Sequence, residues 1–177
     1  MTRRVEIRIC GLGGQGVVLA GQILGRAAVY DELNVVQTQS YGAEARGSNA
    51  NSEVIISDTK IGFPLVRRCD VLIAMSQQSL DLSVKDLKKD GVLIVDDGLV
   101  ERIPEGLKAR VFRIAATKTA ENMFKSKLYA NIVMLGAVTK ITKLATANSM
   151  EKAISEGLPE NARKINIDAF RIGLELA

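Results

Sequence analysis

The 177-residue sequence predicts one α/β domain with three layers, in which helices cover both faces of a mostly parallel but mixed sheet. Apolar segments with the period of strands alternate with segments that have the period of helices, and the first strand candidate enters a helix through a glycine-rich turn. The connection between the second and third strand candidates is too short to hold a crossover helix, so the sheet is expected to be mixed. With 47% hydrophobic residues, residues 1–177 are expected to form a single domain with one substantial core.

Residues 7–28 hold the first strand, the glycine-rich turn and the first helix. Within the turn, Gly11, Gly13 and Gly16 match the pattern G-x-G-x-x-G. Glycine lets the backbone approach a ligand, and the unpaired N–H groups and positive dipole end of the next helix favour phosphate. The candidate cofactor-binding residues are Gly11, Gly13, Gly14, Gln15 and Gly16. Alternatively, the glycines serve only a tight turn and close packing of the helix on the strand.

The second strand candidate, residues 34–40, weighs against a dinucleotide site. A nicotinamide or flavin dinucleotide usually needs an acidic residue about 20 positions after the glycines, at the end of the second strand, to bind the ribose hydroxyls. This strand candidate ends in Gln-Thr-Gln-Ser, Asp31 and Glu32 precede it, and Glu44 lies well beyond it. NAD binding is therefore the less favoured interpretation.

The third strand candidate, residues 52–57, follows the second after about ten residues. Parallel neighbours need a connection of a dozen residues or more, so this strand is expected to run antiparallel to a neighbour or to arrive by a wide loop.

The rest of the chain continues the alternation. The next strand candidates are residues 70–75, 91–95 and 110–114. Ser76 is expected to cap a helix that runs towards Leu87, while residues 117–119 are interpreted as a polar segment. Residues 130–144 have a long apolar helical face, and a final helix is expected from about Asn161, after Pro159.

Composition narrows the classes of function. The net charge of +4 is spread among acids without a basic stripe, so we expect no nucleic-acid partner. The sequence contains no His, which excludes catalysis and metal binding by that side chain, and we identify no catalytic residue and no metal site. Cys10 and Cys69 lie in or beside apolar strand candidates without ligand spacing, and are expected to be buried thiols. No long apolar run is present, so a cytoplasmic protein without a membrane partner is expected.

A second motif lies between the second and third strand candidates. It combines an aromatic hydroxyl, a carboxylate, a guanidinium and small residues, and consists of Tyr41, Gly42, Glu44, Arg46, Gly47 and Ser48. Ligands of α/β sheets bind at the carboxyl ends of strands, and a guanidinium there can bind a carboxylate or phosphate through two parallel hydrogen bonds. Alternatively, Glu44 and Arg46 pair with each other or with a partner subunit.

Together the two motifs resemble one protein family. GLGGQG followed by VVLAGQILGRAA, then QSYGAEARGSNANSEVIISD and DVLIAMS, closely resembles the gamma subunit of the 2-oxoacid:ferredoxin (or acceptor) oxidoreductases, above all the 2-oxoglutarate branch. The resemblance covers nearly the whole chain. It implies a Rossmann-like α/β/α unit in a complex that converts a 2-oxoacid and coenzyme A into an acyl-CoA and passes electrons to ferredoxin or a similar acceptor.

The resemblance also implies what the chain lacks alone. Thiamine diphosphate, iron-sulfur clusters and Mg are expected on alpha, beta and delta-type partner subunits of a heterotetramer, with coenzyme A as co-substrate. The loop from Tyr41 to Ser48 is expected to face the coenzyme A channel or a partner subunit. Two alternatives stay open: a free-standing NAD- or FAD-binding protein, and a purely structural assembly subunit.

Overall fold

A computed structural model describes residues 3–42 and 47–177 of the chain. The strands are β1 (Arg4–Leu12), β2 (Asn34–Tyr41), β3 (Asn49–Ser57), β4 (Cys69–Ala74), β5 (Leu87–Asp96) and β6 (Arg110–Ile114). The α-helices are α1 (Val17–Tyr30), α2 (Gln77–Ser83), α3 (Ala116–Phe124), α4 (Ala130–Thr142), α5 (Ala147–Gly157) and α6 (Glu160–Glu175). Among the described residues, no helix is both long and apolar enough to cross a membrane.

The strands form one mixed sheet in the order β2-β3-β1-β4-β5-β6. β3 is antiparallel to both β1 and β2, whereas β1, β4, β5 and β6 pair in parallel. The expected antiparallel third strand is therefore confirmed. Because β3 lies between β1 and β2, the end of β2 is one strand further from the glycine-rich turn than it would be in a sheet where β1 and β2 are neighbours.

One side of the sheet, here called the helical face, is covered by α1, α3, α4 and α5, with α6 packed on α4. Its side chains include Ile7, Ile9, Val54 and Ile73, all almost fully buried. These residues alternate along their strands with residues that point to the other side, as the pleat requires. Burial of these large apolar side chains is the main source of stability in the domain.

The opposite side, here called the thin face, has less cover. Apart from α2 and a 3-10 turn at Val84–Asp86, it is covered by the segments 58–68 and 97–109, which contribute Val66 and Val100 to its core. A buried guanidinium also lies here: Arg8 of β1 forms salt bridges with Glu53 and Asp86 and donates a hydrogen bond to the carbonyl oxygen of Val66. The thin face therefore combines a smaller apolar core with an ionic cluster.

The contact between α4 and α6 depends on two glycines. A Cβ atom added to Gly136 would overlap the backbone oxygen of Phe170, and one added to Gly173 would overlap the backbone oxygen of Val133. The two backbones thus approach more closely than any larger residue would permit. This close approach places Phe170, which is fully buried, in the core of the helical face.

Several sequence predictions need correction. α2 begins at the predicted cap, where Ser79 N–H donates to Ser76 Oγ, but it ends at Ser83, and Leu87 begins β5 by pairing with Cys69. The segment interpreted as polar is the start of α3, and α5 was not predicted. Both missed helices are largely polar and bury only three residues each, so their apolar periodicity is weak.

Candidate functional site

The glycine-rich turn joins the carboxyl end of β1 to α1. Gly14 and Gly16 have φ angles of 98° and 71°, a backbone region that side chains other than glycine rarely adopt. At Gly11, an added Cβ would lie 2.7 Å from Gln15 Oε1 and 2.8 Å from Val17 Cγ1. At Gly13, an added Cβ would meet, among the described residues, only the backbone of Ser48 and Gly47, at ordinary contact distances. Gly13 is therefore the position where substitution changes the surface of the turn without straining it.

The Gln15 side chain is engaged in hydrogen bonds within the chain. Its Oε1 accepts from Leu12 N–H at 2.7 Å, and its Nε2 donates to the carbonyl oxygen of Met75 at 2.8 Å. Since Met75 directly follows β4, Gln15 links the carboxyl ends of two parallel neighbours. Any contact between Gln15 and a cofactor stays a prediction.

Asn131 supports the turn from α4 and was not among the sequence candidates. Its Nδ2 donates to the carbonyl oxygen of Gly16 at 3.1 Å, and its Oδ1 accepts from Ile132 N–H at 2.9 Å. The side chain is buried, with a relative exposure of 4%. The signal in the sequence is a lone polar residue at the start of a strongly apolar helix, but its partner is 115 residues away and no local pattern identifies it.

The second motif lies beside the first at the carboxyl edge of the sheet. Gly13 N–H donates to the carbonyl oxygen of Ser48 at 2.9 Å, and Gly42 N–H donates to that of Asn49 at 2.8 Å. The Tyr41 side chain is 61% exposed, and Gly47 has a φ angle of 71°. The structure thus brings together Gly13 and Ser48, which are separate in sequence.

Two candidates of this motif, Glu44 and Arg46, lie outside the described residues. Their proposed contacts with a ligand or a partner subunit therefore stay predictions. The described part of the motif fixes both ends of the loop that carries them, because Gly42 and Ser48 are each tied to neighbouring backbone.

In dinucleotide-binding proteins, the strand beside the glycine-rich turn usually carries the acid that binds the ribose. In this chain, β3 occupies that position. Leu12, the last residue of β1, pairs with Asn49, and Tyr41 of β2 pairs with Ala50 one strand further out. Neither the end of β2 nor the start of β3 carries a carboxylate between Gln37 and Tyr41 or between Asn49 and Asn51. Within the described strand ends, the geometry therefore lacks the acid that the nicotinamide site needs.

Asp96 is a fully buried carboxylate at the same edge of the sheet. One oxygen accepts hydrogen bonds from the backbone N–H and the hydroxyl of Thr117, at 3.0 and 2.6 Å, and the other accepts from Gly98 N–H at 3.2 Å. Burial raises the pKa of the Asp96 carboxyl, although the hydrogen bonds from Thr117 and Gly98 act in the opposite direction. Since these contacts tie β5 to the start of α3 and to the turn that follows β5, Asp96 is a structural group.

The two cysteines are both buried on the thin face, as the sequence predicted. Burial raises the pKa of the Cys10 thiol and raises that of Cys69 to about 12. Such thiols stay protonated near neutral pH and are poor nucleophiles and metal ligands. Among the residues that the structure describes, no group of three or more potential ligands could hold a metal ion.

These features define a class: a Rossmann-like α/β/α protein with a glycine-rich turn after β1, an antiparallel third strand, and a loop that adjoins the turn. The family model described as pyruvate ferredoxin/flavodoxin oxidoreductase matches residues 6–176. The chain belongs to this family.

Similar proteins include a gamma-type subunit of nearly the same length. The chain is 48% identical to the 2-oxoglutarate synthase subunit KorC of Methanocaldococcus jannaschii, over 98% of this chain and 94% of that one. In structure it is similar to the gamma subunit of a keto/oxoacid ferredoxin oxidoreductase from Geobacter sulfurreducens, with 42% identity, a TM-score of 0.87 and 98% of each chain covered.

A more distant structure shows the same fold inside a longer chain. The 2-oxoglutarate:ferredoxin oxidoreductase of Magnetococcus marinus matches with a TM-score of 0.89 and 24% identity. The match covers 99% of this chain but 31% of that one. At this identity the likeness shows the fold alone.

Proposed function

We propose that this chain is the gamma subunit of a cytoplasmic 2-oxoacid oxidoreductase whose substrate is 2-oxoglutarate. The observation that carries the proposal is the 48% identity to a 2-oxoglutarate synthase subunit over nearly the full length of both chains. The complex oxidatively decarboxylates 2-oxoglutarate in the presence of coenzyme A, forms an acyl-CoA, and passes electrons to ferredoxin or a similar acceptor.

The cofactors of this reaction lie on partner subunits. An iron-sulfur cluster commonly needs four cysteine thiolates, whereas this chain has two cysteines, both buried and protonated near neutral pH. Its residues therefore do not fit a cluster. Thiamine diphosphate, Mg and the clusters are assigned to the alpha, beta and delta-type subunits.

In this proposal, the chain contributes the glycine-rich turn and the adjoining loop to the binding of coenzyme A. Gly13 and Gly14 are exposed, and the turn leads into the amino end of α1, where the helix dipole favours the phosphate groups of coenzyme A. Exposed large side chains lie at Tyr41, the last residue of β2, and at Leu128, which is 76% exposed and three residues before the turn-supporting Asn131. Such side chains are typical of a surface that another subunit covers.

The free-standing dinucleotide-binding alternative is disfavoured by β3. That strand separates β2 from β1, and neither described strand end supplies a carboxylate beside the turn. The ribose hydroxyls of NAD would therefore lack their usual acceptor at the end of the second strand. The remaining alternative is a subunit that only assembles the complex and makes no contact with coenzyme A. Mutations in the turn and the loop distinguish this alternative from the proposed function.

The first experiment is purification of the tagged chain from its native host without air. Larger partners, iron-sulfur absorption and dye reduction that requires 2-oxoglutarate and coenzyme A are the expected results. A chain recovered without partners would overturn the proposal, and direct titration with NAD, FAD and coenzyme A would follow.

The turn is then tested with Gly13→Ala in the complete complex. The added methyl group fits the backbone but occupies the path of an approaching phosphate, so KM for coenzyme A is expected to rise about tenfold or more. Gly62→Ala is the matched control, because nothing lies within 4 Å of its added Cβ. Equal KM values in both variants would remove coenzyme A from the turn.

The loop is tested with Arg46→Ala in the same complex. Turnover is expected to fall while the subunits still assemble, because a guanidinium that contacts the ligand acts after assembly. Arg26→Ala, at an exposed position on α1, is the control. Loss of assembly alone would make Arg46 an interface residue.

A further inference from the structure

Two cavities open along the amino edge of the sheet, at the opposite end of the strands from the glycine-rich turn. One, of about 800 Å³, lies between Arg3, the α1–β2 connection and the α4–α5 connection. The other, of about 480 Å³, lies beside the first residues of β4, β5 and β6. Both are lined by Arg3 and Leu144, so together they form a continuous depression, here called the amino-edge groove.

Two of the carboxylates in this groove are already committed to contacts within the chain. Asp70 forms a salt bridge with Lys88 at 2.8 Å, and its other oxygen accepts from Glu6 N–H. Burial acts to raise the pKa of Asp31, but hydrogen bonds that it accepts from Ser149 and Thr146 outweigh burial and lower it. Neither group is free to neutralise the other cations of the groove.

The remaining charges of the groove are mostly positive. The cations are Arg3, Lys89, Arg110, Lys140 and Lys143, and within the described part of the chain none of them forms a salt bridge. Only Glu32 and Asp90 oppose them among the uncommitted lining residues. Clusters of one sign in a depression raise the local concentration of oppositely charged partners.

The shape of the groove selects the kind of partner. Its cations come from the residue before β1, from β5, β6 and α4, and from the residue after α4, so they are spread along both cavities. Between them lie the apolar side chains of Val5, Ile141 and Leu144. A small anion needs cations that converge on one point, whereas an extended segment with acidic and apolar side chains fits an apolar floor with a charged rim.

We propose that the amino-edge groove docks an acidic segment of a partner subunit. This inference rests on the proposed function, because the partner is a subunit of the same oxidoreductase complex. The chain then has two working ends: the carboxyl edge of the sheet serves the ligand, and the amino edge holds the assembly together.

The test uses two variants with the same change in net charge. Lys89→Glu with Lys140→Glu reverses two groove cations, and Lys118→Glu with Lys164→Glu reverses two exposed lysines on α3 and α6 outside the groove. Affinity of each purified chain for the remaining subunits is measured from about 50 to 500 mM salt, a range over which surface charge is progressively screened. Circular dichroism melting confirms that each variant is folded.

The groove variant is expected to bind about tenfold more weakly at low salt and to lose most of its salt dependence, whereas the control stays within about twofold of the wild type. Equal affinities for the two variants overturn the groove assignment alone. A wild-type chain that does not bind the remaining subunits overturns the proposed function and the groove assignment with it. If the groove variant assembles normally but transfers electrons to the acceptor more slowly, the groove assignment is also overturned, since the groove would then bind the acceptor.

Discussion

The two faces of the sheet are held in different ways. The helical face is closed by interlocking helices, with Gly136 and Gly173 in backbone contact, whereas the thin face is closed by one short helix, loops and the salt bridges of Arg8. A closely packed helix contact is destabilised by almost any larger side chain. An ionic cluster is destabilised mainly when one of its charged side chains is removed. The same sheet is therefore vulnerable to opposite kinds of substitution on its two sides.

The largest effect is expected from Gly173→Ala on the helical face. The added methyl group overlaps the backbone of α4, and separating the helices should lower the free energy of unfolding by about 3 kcal/mol. Urea unfolding followed by circular dichroism measures it. At Gly157, the last residue of α5, an added Cβ makes only ordinary contacts, and Gly157→Ala should stay within about 0.5 kcal/mol. Similar free energies of unfolding for both variants would show that the α4–α6 contact can accommodate an added methyl group.

A smaller loss is expected from Arg8→Met on the thin face. Burial acts to lower the pKa of Arg8, but the hydrogen bonds that it donates to Asp86 and Glu53 outweigh burial and raise it. Removing the guanidinium leaves two partly buried carboxylates unpaired and should cost about 2 kcal/mol in the same unfolding assay.

The control for Arg8 is an exposed ion pair of similar geometry. Arg171 forms a salt bridge with Glu151 through two hydrogen bonds, and its own side chain is 59% exposed. Arg171→Met should leave the stability close to that of the wild type, because water screens an exposed ion pair. If Arg8→Met is equally mild, the ionic cluster does not hold the thin face closed.

A pH-dependent change in stability is expected from Asp96→Asn. Because the folded-state pKa of Asp96 is raised, its contribution to stability is present at low pH and is lost as pH rises through that pKa. Asn does not titrate, so the stability of the variant relative to the wild type should improve as pH rises from about 4 to 7. Unfolding midpoints across this range measure the trend. A constant difference would contradict it.

The last test uses the wild-type chain and measures how fast the two cysteine thiols are labelled. Cys10 and Cys69 are both buried on the thin face and protonated near neutral pH, so a thiol reagent should react only when that face opens. Labelling in dilute urea is expected before the helical face unfolds, as followed by helical circular dichroism. Simultaneous transitions would show that the two faces open as one unit.

The sequence predicted most of the sheet because strands that are buried on both faces form short, continuous apolar runs, as at residues 70–75 and 91–95. β6 has the predicted bounds, and Ser76 caps α2 as expected. The helices α3 and α5 were missed since their buried residues are few, and the neighbours that bury them are distant in sequence. Local pattern carries no information about such neighbours.

For the site, the sequence identified the turn and the loop but not their relation. The hydrogen bond from Gly13 to Ser48 and the support from Asn131 are long-range contacts, and the first of them depends on the insertion of β3 beside β1. The expected antiparallel strand did not fix the strand order, because an edge position satisfies the same short connection. Gln15 illustrates a further limit, since one sequence pattern fits a side chain that binds a ligand and one that joins two strands.

The contact between Gly136 and Gly173 also limits how far the chain can fold while it is still on the ribosome. α6 is the last of these elements to be translated, yet its Phe170 completes the core against which α4 packs. Chains are translated at about 5–20 residues per second, so α4 waits on the order of seconds with the side that α6 covers still exposed. A nascent chain of this subunit is therefore a natural client for chaperones, and its docking with other subunits follows release of α6.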